Sequence, residues 1–65
     1  MTELIAQYKD QIKRLEKRVN ELNKELRRLS GGRRDELLIR IRLLNQEIND
    51  MWDSINMMKE YEDRI

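Results

Sequence analysis

A chain of 65 residues makes one small domain, and its 42% charged residues and lack of proline are typical of long solvated helices. Cysteine and histidine are both absent, which excludes disulfide bonds, thiol chemistry and the usual zinc sites. No apolar run exceeds three residues, so nothing resembles a membrane span or a secretory signal. We expect a cytoplasmic protein with no membrane partner.

Two stripes of apolar residues flank Ser30-Gly31-Gly32, and in both the spacing alternates between three and four residues, as at coiled-coil positions a and d. Glycine permits the left-handed conformation that ends a helix, and we expect both glycines to adopt it. The pattern predicts a single domain over 1–65 with helix 1 at about 3–29, a turn at 30–33 and helix 2 at about 34–63. The stripes comprise Ile5, Tyr8, Ile12, Leu15, Val19, Leu22, Leu26 and Leu29, then Leu37, Ile41, Leu44, Ile48, Met51, Ile55 and Met58, resuming at Ile65.

The two stripes are near mirror images about the point between the glycines, which predicts an all-α, antiparallel two-helix coiled-coil hairpin. This register places Glu25 opposite Arg40 and Arg18 opposite Glu47, and a slip of one heptad would set Glu25 against Glu47. The predicted layers are Leu26 with Leu37, Leu22 with Ile41, Val19 with Leu44, Leu15 with Ile48, Ile12 with Met51, Tyr8 with Ile55, and Ile5 with Met58.

Helix 2 is apolar beyond its stripe, and one seam between two helices buries so little surface that a lone monomer should be marginally stable. We therefore expect self-association, with a homodimer that forms a four-helix bundle favoured over larger oligomers. The alternative is docking of another protein, since methionines repack and aromatic residues anchor interfaces. Both interpretations can hold at once. The predicted interface residues are Leu38, Leu43, Trp52, Met57, Met58 and Tyr61.

Charge is distributed unevenly: residues 1–42 carry 12 basic and 7 acidic groups, and residues 43–65 carry 2 and 6. Arginines at the end of a narrow rod can bind phosphates without reading sequence, although no aromatic residue lies near the turn to stack on bases. The competing interpretation is solvation of the helix ends, with attraction to the acidic end of an antiparallel neighbour. The candidate residues for a nucleic acid or an acidic partner are Arg27, Arg28, Arg33, Arg34 and Arg42.

The sequence offers no catalytic constellation. Ser30 and Ser54 have no histidine base, and the two glycines lack the spacing of a phosphate-binding loop. Glu47, Asp50 and Asp53 line one side of helix 2, where a solvated acidic surface is favoured over a loose Mg²⁺ site. We therefore predict a non-enzymatic protein without a cofactor or a bound metal.

The helix pattern resembles the N-terminal coiled-coil segment of the ArpU-like phage regulators of late-gene transcription in Gram-positive bacteria. That family continues into a sigma-factor-like helix-turn-helix that reads DNA, and residues 1–65 contain no such unit. The resemblance implies the oligomerisation part alone, in a phage or prophage accessory protein that binds a host protein. It rests on Tyr8, Gln11-Ile12-Lys13-Arg14-Leu15, Lys17-Arg18-Val19-Asn20, Leu44, Glu47-Ile48-Asn49, Asp53, Ile55 and Met58-Lys59.

A second segment, Asn45-Gln46-Glu47-Ile48-Asn49, is similar to the Ser-Gln-Glu-Leu-Asp motif of the small helical hairpins that dephosphorylate sporulation response regulators. Asparagine stands here in place of both the serine and the aspartate. We therefore do not extend the phosphatase activity to this chain.

Overall fold

The computed structural model describes residues 2–63 and consists of two antiparallel α-helices. The first helix, α1, spans Thr2–Leu26, and the second, α2, spans Gly32–Asp63. They pack side by side into a rod with dimensions of 52 × 15 × 11 Å. The predicted all-α helical hairpin is thus confirmed. Ile65, where we expected the second stripe to resume, lies outside the described residues.

The core of the hairpin is the seam predicted from the heptad spacing. Within residues 2–63, every buried side chain is apolar. Each member of the core occupies a predicted a or d position, so the spacing correctly identifies the faces on which the helices meet. The buried residues are Ile5, Ile12, Val19, Leu22, Leu37, Ile41, Ile48 and Ile55, and the partly buried ones are Tyr8, Leu15, Leu26, Leu29, Leu44, Met51 and Met58.

A shallow groove across the middle of the rod supports the predicted register. Gln11, Arg14 and Leu15 line it from α1, while Glu47 and Met51 line it from α2. These residues belong to the turns that the mirror-image pattern places opposite one another, with Leu15 facing the turn that begins at Glu47. At this level of the rod, α1 and α2 are therefore opposed as the stripes predict.

The first helix ends at Leu26 and not near 29, because the chain tightens there. The backbone N–H groups of Arg28 and Leu29 donate to the carbonyls of Glu25 and Leu26, three residues back, at 3.0 and 3.2 Å. Such hydrogen bonds are those of a 3₁₀ turn and not of an α-helix. Leu29 still packs against the core, so the apolar stripe extends beyond the α-helix itself.

The second helix begins at Gly32 and not near 34, and the two glycines have different roles. Gly31 adopts the left-handed conformation with φ 69°, and its carbonyl accepts hydrogen bonds from the N–H groups of Arg34 and Asp35 at 3.1 and 3.3 Å. Gly32 is already the first residue of α2, so the expectation that both glycines are left-handed is wrong for Gly32. Nη1 of Arg34 donates to the Leu26 carbonyl at 3.3 Å, which caps the end of α1.

The two ion pairs predicted to fix the register are not formed in the part of the chain that the structure describes. Arg18 pairs with Glu21 on its own helix at 3.5 Å and not with Glu47, and Glu25 makes no ion pair with Arg40. An exposed ion pair contributes about 0 to 1 kcal/mol to stability. A charged side chain can therefore exchange a partner across the seam for one on its own helix at little cost. The register therefore rests on the apolar layers.

Candidate interaction surfaces

The heptad pattern divides the long surface of the rod into two sides. Around a helix, position d borders g and then c, whereas position a borders e. In an antiparallel pair, the d and g positions of both helices share one side, which we call the open face. The a and e positions share the other side, which we call the closed face. Together with the adjoining c positions, the apolar residues of the open face are Leu4, Tyr8, Leu15, Leu22, Leu29, Leu37, Leu43, Leu44, Met51, Met57, Met58 and Tyr61.

The open face presents apolar surface along much of the rod. Three large side chains of α2 are more than half exposed on this side: Leu43 at 61%, Met57 at 71% and Tyr61 at 57%. Behind them, most of the seam residues at d positions are only partly buried, Met51 and Leu15 among them. An apolar strip of this length is a feature of binding surfaces.

On the closed face, most of the seam residues are buried. Its seam residues include Ile48 and Ile55, which are buried. The exposed large apolar side chains on this side are Leu38 at 38% and Trp52 at 39%. They stand about 21 Å apart along α2, with Asn45 between them at the same heptad position.

Leu43 and Met57 are as far apart on the open face as Leu38 and Trp52 are on the closed face, with Asp50 between them. The two faces therefore differ in their seam residues, which are mostly buried at a positions and mostly only partly buried at d positions.

The structure therefore divides the six predicted interface residues between two sides of the rod. Leu43, Met57, Met58 and Tyr61 lie together on the open face, and Leu38 and Trp52 lie on the closed face. The heptad positions alone predict this division, because g and then c follow d around the helix, whereas e lies beside a. The sequence did not predict the partial exposure of the d positions, because this exposure depends on how each helix is rotated about its own axis.

All five predicted arginines around the turn are exposed, but their surroundings differ. Arg34 holds the end of α1 through the Leu26 carbonyl. Arg33 lines a groove with Arg40 and Glu36 over Leu29 and Leu37. Arg42 lies about 15 Å along the helix axis from Gly32, away from the turn that Arg27 and Arg28 occupy.

The two ends of the rod carry opposite charge. The end at the turn, which we call the arginine tip, comprises residues 24–42 with seven basic and three acidic side chains, a net charge of +4. The other end, which we call the acidic end, comprises residues 2–10 and 53–63 with two basic and six acidic side chains, a net charge of −4. The segments between them, 11–23 and 43–52, carry four of each.

The polar residues considered for chemistry are used locally or lie apart. The hydroxyl of Ser54 donates to the Asp50 carbonyl at 3.1 Å, within α2, a common arrangement for a serine inside a helix. Across residues 2–63, no three acidic side chains form a group that could hold a metal ion, the set of Glu47, Asp50 and Asp53 included. Over the same residues, neither helix has the length and apolarity required to cross a bilayer.

Comparison of this chain with known protein families, with curated proteins and with solved structures gives no match. The resemblance to ArpU-like regulators accordingly stays a prediction.

Proposed function

We propose that this protein is a small non-enzymatic interaction protein whose hairpins self-associate, most simply into a dimeric four-helix bundle. One observation carries the proposal: of the seven large apolar side chains exposed within residues 2–63, six lie on α2. A helix with a single neighbour needs one apolar stripe, whereas a helix in a bundle needs a wider apolar surface. The composition of α2 fits the second case.

Energetic considerations favour the same proposal. A two-helix hairpin has one seam, and chains of this size usually need oligomerisation, metals or disulfides in addition to their core. Neither cysteine nor histidine is present, so disulfides and the usual zinc sites are excluded. Association of apolar surface is the remaining common route to a stable fold.

The same surface suits a different protein as well as a second copy. Methionine side chains adapt to irregular partners, and tyrosine supplies a large contact with a polar end. Following the resemblance to ArpU-like segments, we propose a cytoplasmic phage or prophage accessory protein that regulates a host protein by binding it. Met57 and Tyr61 of the open face would be the anchors of that contact.

Sedimentation equilibrium over a dilution series tests the self-association. We expect a mass twice the 8.0 kDa of one chain at high concentration, falling toward the monomer mass on dilution. A monomer at every concentration would contradict self-association and leave the open face free for a partner protein.

A second candidate function is binding of nucleic acid by the arginine tip, favoured by its net charge of +4 and the exposure of its arginines. Replacing Arg27, Arg28 and Arg33 with glutamine tests it without disturbing Arg34, which caps α1. The measurement is fluorescence anisotropy with a labelled duplex at about 50 and 200 mM salt, where phosphate contacts give a steep salt dependence. If the wild-type protein does not bind at the lower salt concentration, this candidate is wrong.

A further inference from the structure

We propose that a second copy of this chain covers the open face in an antiparallel orientation, so that the arginine tip of each hairpin lies over the acidic end of the other. This inference rests on the proposed function, since it specifies how the self-association is built.

The open face has the area that a stable dimer needs. The rod measures 52 by 15 Å on its broad side, which offers about 800 Å² to a partner, the amount that each protein buries in an interface of standard size. The strip includes exposed side chains such as Leu43 and Met57 and partly buried ones such as Leu15 and Met51. On the closed face the exposed large apolar side chains are Leu38 and Trp52, and most of the seam residues at a positions are buried.

The charges of the two ends select the direction. An antiparallel pair places a net charge of +4 over one of −4 at both ends, whereas a parallel pair places +4 over +4 and −4 over −4. The six carboxylates of the acidic end lie outside the d, g and c positions of the open face, so the charges of the two ends act at a distance and direct the encounter of the two copies. The charges of one hairpin are therefore complementary to those of a second hairpin that runs in the opposite direction. This complementarity favours a second copy as the occupant of the open face.

Symmetry then determines which residues meet. For two broad faces packed in opposite directions, the twofold axis runs across the rod, so that α1 lies over α1 of the partner and α2 over α2. The middle of Gly32–Asp63 lies between Glu47 and Ile48, and Glu47 is exposed on the open face. Glu47 therefore approaches its own copy. Leu44 and Met51 lie at equal distances on either side of this midpoint, so Leu44 lies over Met51 of the other copy, which is an apolar contact.

Arg14 brings positive charge close to the two Glu47 carboxylates. It lines the same groove as Glu47 and pairs with Asp10 of its own helix at 3.2 Å, so two arginines lie beside the two glutamates at the axis of a dimer. A parallel pair has its axis along the rod and places α1 over α2 of the partner. In that arrangement Glu47 faces Arg14 of the other copy and does not meet its own copy.

Single cysteines test this arrangement directly, because the chain contains none of its own and any disulfide must join two copies. We compare Glu47→Cys, at the predicted axis, with Asn45→Cys, at the same level of α2 on the closed face. Both positions are exposed, and circular dichroism checks that each variant remains helical. Mild oxidation at low salt is followed by non-reducing electrophoresis and intact mass.

We expect Glu47→Cys to form the covalent dimer at least about tenfold faster than Asn45→Cys. Equal rates, in a protein that sediments as a dimer, would overturn the proposed face while leaving self-association intact. A mixed disulfide between Glu47→Cys and Arg14→Cys, formed in preference to the Glu47→Cys dimer, would overturn the antiparallel direction. Monomers in sedimentation equilibrium would overturn both this inference and the proposed function.

Discussion

The two helices share one seam, yet they differ in what they leave in water. In the described residues, α1 exposes one large apolar side chain, Leu4, whereas α2 exposes six. Polar residues border the single apolar stripe of α1, so packing against one neighbouring helix covers the apolar surface of α1. The apolar residues of α2 lie on several sides, so one neighbour leaves part of its surface uncovered. This difference supports the proposal that a second copy covers part of α2.

The largest expected effect tests the seam that both helices share. Ile12→Ala in α1 and Ile55→Ala in α2 each remove a side chain that is almost completely buried, at 1% and 0% exposure. We expect each to lower the free energy of unfolding by about 2 to 5 kcal/mol, measured by urea denaturation. Ile39→Ala, on the outer surface of α2, serves as the control and should change stability by no more than about 0.5 kcal/mol. A comparable loss in the control would contradict this assignment of the core.

The next effect tests the additional apolar surface of α2, which α1 lacks. Leu43→Glu combined with Met57→Glu places two carboxylates on the open face, and we expect the dimer dissociation constant to rise at least about 100-fold, which is about 2.7 kcal/mol. The control is Leu38→Glu on the closed face. Leu38 is more buried than Leu43, so a general loss of stability would affect the control more strongly. Equal weakening of the dimer by the control would remove the distinction between the two faces.

A smaller change in stability distinguishes the two glycines of the turn that joins the helices. Gly31→Ala forces alanine into the left-handed conformation and should destabilise the fold by about 1 kcal/mol. Gly32→Ala adds a methyl group that meets nothing within 4 Å at a helical position, and should stabilise the fold by about 0.4 to 1 kcal/mol. The two urea midpoints should therefore move in opposite directions. Movement in the same direction would contradict the different roles assigned to these residues.

The smallest effect concerns the cap that α2 provides to α1. Arg34→Gln removes the hydrogen bond to the Leu26 carbonyl, and we expect a loss of about 0.5 kcal/mol. Arg33→Gln changes the same charge one residue away without removing that bond, so it isolates the contribution of the cap. The comparison is made from thermal unfolding at equal protein concentration. Equal stability of the two variants would show that the hydrogen bond contributes nothing.

The fold was predictable because one signal, the heptad spacing, encodes both the helices and their facing sides. The ends of the helices were predicted less well, since the tight turn after Leu26 and the conformation of Gly31 depend on local hydrogen bonds and not on apolar spacing. The ion pairs of Arg18 and Glu25 were wrong because exposed charges have several partners of nearly equal energy. The positions of Leu43, Met57 and Tyr61 beside the d residues could be inferred from the sequence. The uneven burial of a and d positions required the structure.

The rate at which Met57 is oxidised by hydrogen peroxide tests most directly whether the uncovered surface of α2 is covered in solution. Met57 is 71% exposed in a single hairpin, so a monomer should be oxidised nearly as fast as free methionine. We predict that oxidation slows at least about tenfold at concentrations where the dimer forms and recovers on dilution. Fast oxidation of Met57 at every concentration would contradict the proposal that a second copy covers the open face.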